Sequence, residues 1–125
     1  MTNDGGFREL VGVELVEAEE GRAVVELRAG DRHLNPGGTV HGGAVSTLID
    51  VSMAEALNPM TGEEERPVTI EIKVNYLEPG EPGTLRCTAS VRKGGGRITI
   101  VEAEVVQRES DELVALASGT YTRVG

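Results

Sequence analysis

The sequence predicts an α+β domain in which an antiparallel sheet of five to six strands wraps around one central helix. Three observations carry this. Runs of alternating apolar and polar residues recur along the chain and are joined by short, turn-rich segments, the mark of antiparallel hairpins. One stretch, Gly43 to Leu57, has a helical period instead and is apolar nearly all round, so it belongs inside the fold. The chain has 125 residues, enough for one core, and neither an internal repeat nor a linker divides it, so residues 1–125 are read as a single domain.

Residues 1–6 are polar and Gly-rich and are expected to be disordered, and Phe7 to Val11 suits a short helical turn. Val13 to Ala18 and Arg22 to Ala29 read as strands around a Glu19-Glu20-Gly21 turn, with Ala23, Val25, Leu27 and Ala29 on one face. Gly, Asp, Asn and Pro break any period over residues 30–42. In the helix, Val45, Leu48, Ile49, Ser52, Met53 and Ala56 share one face, Ala44 and Val51 extend it, and Ser46, Thr47 and Ala54 keep the rest small. Asp50 and Glu55 are its only ionisable residues, and Asn58-Pro59 closes it.

After a charged loop, Val68, Ile70, Ile72, Val74 and Tyr76 alternate with Thr69, Glu71, Lys73 and Asn75, which puts Thr69 on the polar side of a strand. Leu85 to Arg92, Ile98 to Gln107 and Leu113 to Arg123 supply three more strands. Burying the far side of the helix requires another surface, most simply a second copy of the same sheet.

Composition excludes several classes. Twelve basic against twenty-one acidic residues give a net charge of −9, which repels a phosphate backbone, and the shortage of aromatics (Phe7, Tyr76 and Tyr121) leaves no platform for stacked bases. No nucleic-acid partner is expected. The sequence has neither a long apolar run nor a basic-then-apolar leader, so no membrane partner is expected either, and a soluble cytoplasmic protein is. The single Cys87 cannot form an intrachain disulfide and falls among Leu85, Ala89 and Val91 as a buried structural thiol. His33 and His41 lie eight apart in a loop, a spacing unsuited to a zinc site, so neither metal nor cofactor is expected. His33 is read as a solvated loop residue.

The stretch His33-Leu-Asn-Pro-Gly-Gly-Thr-Val-His-Gly-Gly-Ala-Val-Ser-Thr-Leu-Ile-Asp50 holds the chemistry. A turn-rich loop runs through His41-Gly42-Gly43 into the helix, whose first N–H groups lack partners and carry partial positive charge. Such a terminus can hold a carbonyl oxygen as it becomes negative. Two turns on, Asp50 can act as base or nucleophile. Oxyanion donor plus acid is the minimum equipment of an acyl-transfer hydrolase. The alternatives are plain: Asp50 as a structural carboxylate paired with a base, His41 as a loop residue bonded to backbone, Thr69 as an exposed threonine, and Arg92-Lys93 with Arg97 as a solvated hairpin tip. Gly43 itself is explained by close approach of a ligand to bare backbone.

With Asn35-x5-His41-Gly42-Gly43-x6-Asp50, the strand Val68-Thr-Ile-x-Ile-x-Val-Asn-Tyr-Leu-x-Pro79 and the hairpin Val91-Arg-Lys-Gly-Gly-Gly-Arg-Ile98 in this order, residues 10–123 closely resemble the hot-dog-fold acyl-CoA thioesterases. The nearest subgroup is the phenylacetate-pathway type of the 4-hydroxybenzoyl-CoA thioesterase superfamily. The resemblance implies a hot-dog fold and hydrolysis of an acyl- or aryl-CoA to free acid and CoA. It implies that Gly43 donates its N–H to the thioester carbonyl, that Asp50 attacks or activates water, that Asn35 and His41 position substrate or water, and that Thr69 holds the water. Gly42, Thr47, Arg92, Lys93, Gly96 and Arg97 are the implied substrate and CoA contacts. It also implies a homo-oligomer, a dimer or a dimer of dimers, with active sites at the subunit interface. Two other functions use the same fold: a non-catalytic acyl-CoA-binding domain, and an enoyl-thioester hydratase or dehydratase, of which His33-Leu-Asn-Pro-Gly37 is a faint echo.

Overall fold

In the computed structural model, which describes residues 6–94 and 96–125, a short helix α1 (Gly6–Val11) leads into β1 (Val13–Glu19) and β2 (Arg22–Ala29). A 3-10 turn (Asp31–His33) and a loop follow, then the long helix α2 (Gly42–Leu57). Strands β3 (Arg66–Tyr76), β4 (Gly83–Lys93), β5 (Thr99–Gln107) and β6 (Glu112–Val124) complete the chain. The expected disorder of residues 1–6 falls, but for Gly6, outside the described residues; Gly6 opens α1.

The six strands form one antiparallel sheet in the order β1-β2-β4-β5-β6-β3. Helix α2 lies along its inner face, packed chiefly on β2 and β4. The helical face expected from the sequence is the buried one, since Val45, Leu48, Ile49, Ser52, Met53 and Ala56 are all in the core. They meet the inward residues of the strands, among them Val25, Leu27, Leu85, Cys87, Val101 and Val105. Thr47, Asp50, Val51 and Ala54, on the other side of α2, are only half-buried by this sheet.

Two glycines set how closely the layers approach. Gly21, at φ +79°, turns the β1–β2 hairpin, and its N–H donates to the Ala56 carbonyl at 3.1 Å, tying the hairpin to the end of α2. At Gly119 in β6 an added Cβ would fall 2.6 Å from the Met53 sulfur and 3.0 Å from the Tyr121 ring. Its bare backbone admits both side chains beneath the helix.

The alternation expected for β3 fails at one place. The register pairs Thr69 with Tyr121 and Glu71 with Thr120, leaving Ile70 unpaired in a bulge. The extra residue shifts the period by one, so Thr69 faces α2 along with Ile72 and Val74, and Ile70 is exposed. Thr69 is therefore not on the outer, polar face.

Cys87 is buried as the sequence implies, and burial pushes its thiol up to about 12. It should not react with an aromatic disulfide reagent at pH 8 in the native protein and should react fully in denaturant; fast labelling of the native form would contradict the packing described. Gly119→Ala should cost about 1–3 kcal/mol in urea unfolding, because Met53 and Tyr121 must both shift in a filled core.

Candidate active site

The loop before α2 is pinned at both ends. Leu34 and Val40 form an isolated bridge, the Asn35 N–H donates to the Thr39 carbonyl at 2.8 Å, and Gly38 closes the turn at φ +91°. The His41 N–H then donates to the His33 carbonyl at 2.7 Å. His33 is not the solvated residue expected: it is 8% exposed. Its Nδ1 accepts from the Gly30 N–H at 3.0 Å, so the proton sits on Nε2, which donates to the Val11 carbonyl at 2.6 Å. Both nitrogens are thus committed to joining the end of α1 to the loop, a role that a polar residue in a Gly-rich stretch does not announce.

At the start of α2, His41 has extended backbone and caps the helix, its Nδ1 accepting the Gly43 N–H at 2.7 Å. A Cβ on Gly43 would lie 3.0 Å from that Nδ1, so the capping histidine ring itself favours glycine at this position. Thr47 Oγ1 donates to the Gly43 carbonyl at 2.8 Å, and the Tyr76 hydroxyl donates to that of Gly42 at 3.1 Å. Gly42, the first helical residue, has no acceptor for its N–H within the helix.

Asp50 is half-buried on the inner side of the sheet. Its Oδ1 accepts from Thr69 Oγ1 at 2.9 Å and from the Tyr121 hydroxyl at 2.6 Å. Among the described residues it has no ion-pair partner, and its Oδ2 accepts no hydrogen bond. A carboxylate neutralised by a base is not what the structure contains. Tyr121 is 1% exposed, and burial, followed by the neighbouring Asp50, raises its hydroxyl far above the usual phenol range, so it remains a donor. Sequence reasoning missed Tyr121, which lies in the last strand far from the motif. The signal available was its place on the core face of β6 with a hydroxyl that burial obliges to find a partner.

The other expected site residues are not gathered around Asp50. Asn35 is half-buried in the pre-helix loop, and its side-chain amide bonds to none of the described residues. Arg92 is exposed and pairs with Glu102 at 3.4 Å, and Lys93, Gly96 and Arg97 are exposed at the β4–β5 hairpin. Gly43, His41 and Thr47 line an apolar cavity of about 410 Å³ with Phe7 and Leu10. Asp50 and Thr69 open instead into a polar cavity of about 600 Å³ with Arg8, Glu55 and Arg66. Gly43 and Asp50 are on the same face of α2, about 20° apart around the axis but about 10 Å apart along it. One chain therefore places the helix terminus and Asp50 in separate cavities. Among the described residues no helix is long and apolar enough to cross a membrane, and no three metal-binding side chains converge.

A six-stranded antiparallel sheet curled around one long helix is the hot-dog fold. The family model of the thioesterase superfamily matches residues 37–114, and this chain belongs to that superfamily. It is 31% identical to acyl-coenzyme A thioesterase PaaI of Escherichia coli, an alignment covering 100% of this chain and 87% of PaaI. Among solved structures it is similar to the conserved protein PA5202 of Pseudomonas aeruginosa, with TM-score 0.89 and 39% identity over 96% of this chain and 94% of that one. It is also similar to BH2602 of Bacillus halodurans, solved with CoA, with TM-score 0.77 and 32% identity over 81% of this chain and 66% of that one.

Tyr121→Phe should retain the fold but free Asp50 from its shorter hydrogen bond. We expect kcat on a thioester to fall about 10-fold or more with KM within about 3-fold, since the hydroxyl's bond is to the Asp50 carboxylate, whose orientation it fixes. An unchanged kcat would remove Tyr121 from the site.

Proposed function

We propose that this protein is a cytoplasmic acyl-CoA thioesterase that hydrolyses an acyl- or aryl-CoA to the free acid and CoA. The observation that carries this reading is Asp50, with one carboxylate oxygen held by two hydroxyl donors and the other left free. Two donors on Oδ1 fix the carboxylate plane, so Oδ2 is presented in one direction. As base, it takes a proton from water while the water oxygen attacks the thioester carbon; as nucleophile, it attacks that carbon itself, and water then hydrolyses the resulting mixed anhydride to release the acid and restore Asp50. The carbonyl oxygen becomes negative and is stabilised at the helix terminus, and collapse then expels the CoA sulfur as thiolate, which takes up a proton. Gly43 serves as donor once the carbonyl oxygen displaces the His41 ring from its N–H, with the Gly42 N–H beside it. His41 thus holds the place of the substrate oxygen in the empty site, and Asn35 has its amide free to position substrate or water. Arg92, Lys93 and Arg97, exposed at the β4–β5 hairpin, supply cations for CoA phosphates.

A complete site requires two chains. Because Gly43 and Asp50 share a face of α2, a two-fold axis passing near Ser46 and Thr47 would set Gly43 of one copy level with Asp50 of its partner. Ser46, Thr47 and Ala54 are small enough for close approach. The sheet supports the same geometry: β3 has a neighbour on one side only and carries exposed Ile70 and Tyr76, with Leu77 exposed just beyond it, an edge that a second β3 would extend into one continuous sheet. The hydratase alternative needs a histidine free to work beside an acid, whereas His33 has both nitrogens engaged.

Thiol release from an acyl-CoA panel tests the reaction. Asp50→Asn should lower kcat by about 10²–10⁴-fold with the assembly intact; near-wild-type turnover would refute the mechanism. Subunit mixing tests the shared site. Asp50→Asn and Gly43→Pro, each inactive alone, should regain about a quarter of wild-type activity when co-assembled, since half the dimers are mixed and each has one intact site. No recovery would place both groups in one chain's site.

A further inference from the structure

Helix α1 contributes no buried residue; only Val11, at its end, packs partly against the core. Hydrophobic burial cannot hold such a six-residue helix, and two polar ties do. One is the His33 bond to the Val11 carbonyl. The other is an ion pair, Arg8 to Glu55 of α2 at 2.7 Å, whose carboxylate belongs to a residue only 8% exposed. A buried carboxylate needs its partner, so Glu55 fixes Arg8 and with it the position and rotation of α1. The two ionisable residues of α2 thus differ in surroundings: Asp50 keeps a free oxygen and Glu55 has a cation.

That rotation has a consequence for the cavity at the start of α2. Phe7, Leu10 and Val11 recur at the spacing of one helical face and form the outer wall of the cavity that Gly43, Ala44 and Thr47 floor. Phe7 and Leu10 are 66% and 67% exposed, apolar side chains that meet the opening and not the core. A thioester carbonyl at the Gly43 N–H would have its acyl group directed along this wall.

We propose that α1 is the specificity-determining wall of the acyl pocket, with Phe7 and Leu10 contacting apolar aliphatic or aryl acyl groups, and that Arg8 and Glu55 are positioning residues that set the wall. The inference rests on the thioesterase reading for the orientation of the substrate. Acetyl groups are too short to reach α1, whereas medium-chain and aryl groups bury methylenes or a ring against it.

The test measures kcat and KM separately for acyl-CoAs from acetyl to dodecanoyl and for phenylacetyl-CoA, and binding of the matching non-hydrolysable thioethers by calorimetry. Phe7→Ala and Leu10→Ala change exposed residues and should raise KM for dodecanoyl-CoA at least fivefold, with the dodecanoyl-over-acetyl ratio of kcat/KM falling by a similar factor. Arg8→Met combined with Glu55→Met leaves no buried charge unpaired and should flatten the length dependence of thioether binding, a readout independent of turnover at the acid whose cavity these two residues also line. Arg8→Lys should restore much of that length dependence. A length profile unmoved by Phe7→Ala and Leu10→Ala, or a paired variant whose thioether affinities keep the wild-type length dependence, would overturn the proposal. If the wild type released no thiol from any substrate, the thioesterase reading would fail, while thioether affinities that lose their length dependence in the α1 variants would still support the wall.

Discussion

A helix apolar nearly all round must be covered on every side, and one six-stranded sheet covers only part of α2. The rest of the structure answers to this constraint. Leu48, Ile49, Met53 and Ala56 are satisfied by β2, β4 and β5, which fixes the curl of the sheet and the depth of the helix. Thr47, Asp50, Val51 and Ala54 are left half-covered, so the carboxylate of Asp50 lies on the side this sheet does not close. A surface that must be buried but is not yet filled is suited to receive a partner and a substrate together.

The acid is tolerated there because its surroundings are specific. A half-buried carboxylate without a cation is unfavourable unless donors take its lone pairs. Thr69 and the Tyr121 hydroxyl do so on one oxygen, and each depends on a backbone irregularity. The bulge at Ile70 turns Thr69 inward, and the missing side chain of Gly119 leaves room for the Tyr121 ring. One of the sheet's bulges and one missing side chain thus lie next to the acid, where they let two hydroxyls meet at one atom.

The helix start follows a parallel logic. Its N–H groups are in need of acceptors, and His41 satisfies one of them with its ring. Gly43 is small for the sake of that histidine, while Thr47 and Tyr76 bind the carbonyls of Gly43 and Gly42 and hold the first turn in place. His33 gives the loop its anchor, and the loop in turn delivers His41.

Periodicity alone determined the single central helix, its core face, the strand positions and the buried state of Cys87, because these depend on whether successive side chains are apolar, and that is written locally. The same is true of the Gly-Gly helix start and the lone acid behind it, which stood out as exceptions to the local pattern. Tertiary structure alone decided which residues meet. It placed Tyr121 and Thr69 on Asp50, gave Glu55 to Arg8, buried His33, turned the His41 ring onto Gly43 and left the β4–β5 cations away from the acid. Each of these outcomes rests on register, on a one-residue bulge or on a gap the size of a methyl group. Such features join residues distant in sequence, so a linear pattern carries no record of them.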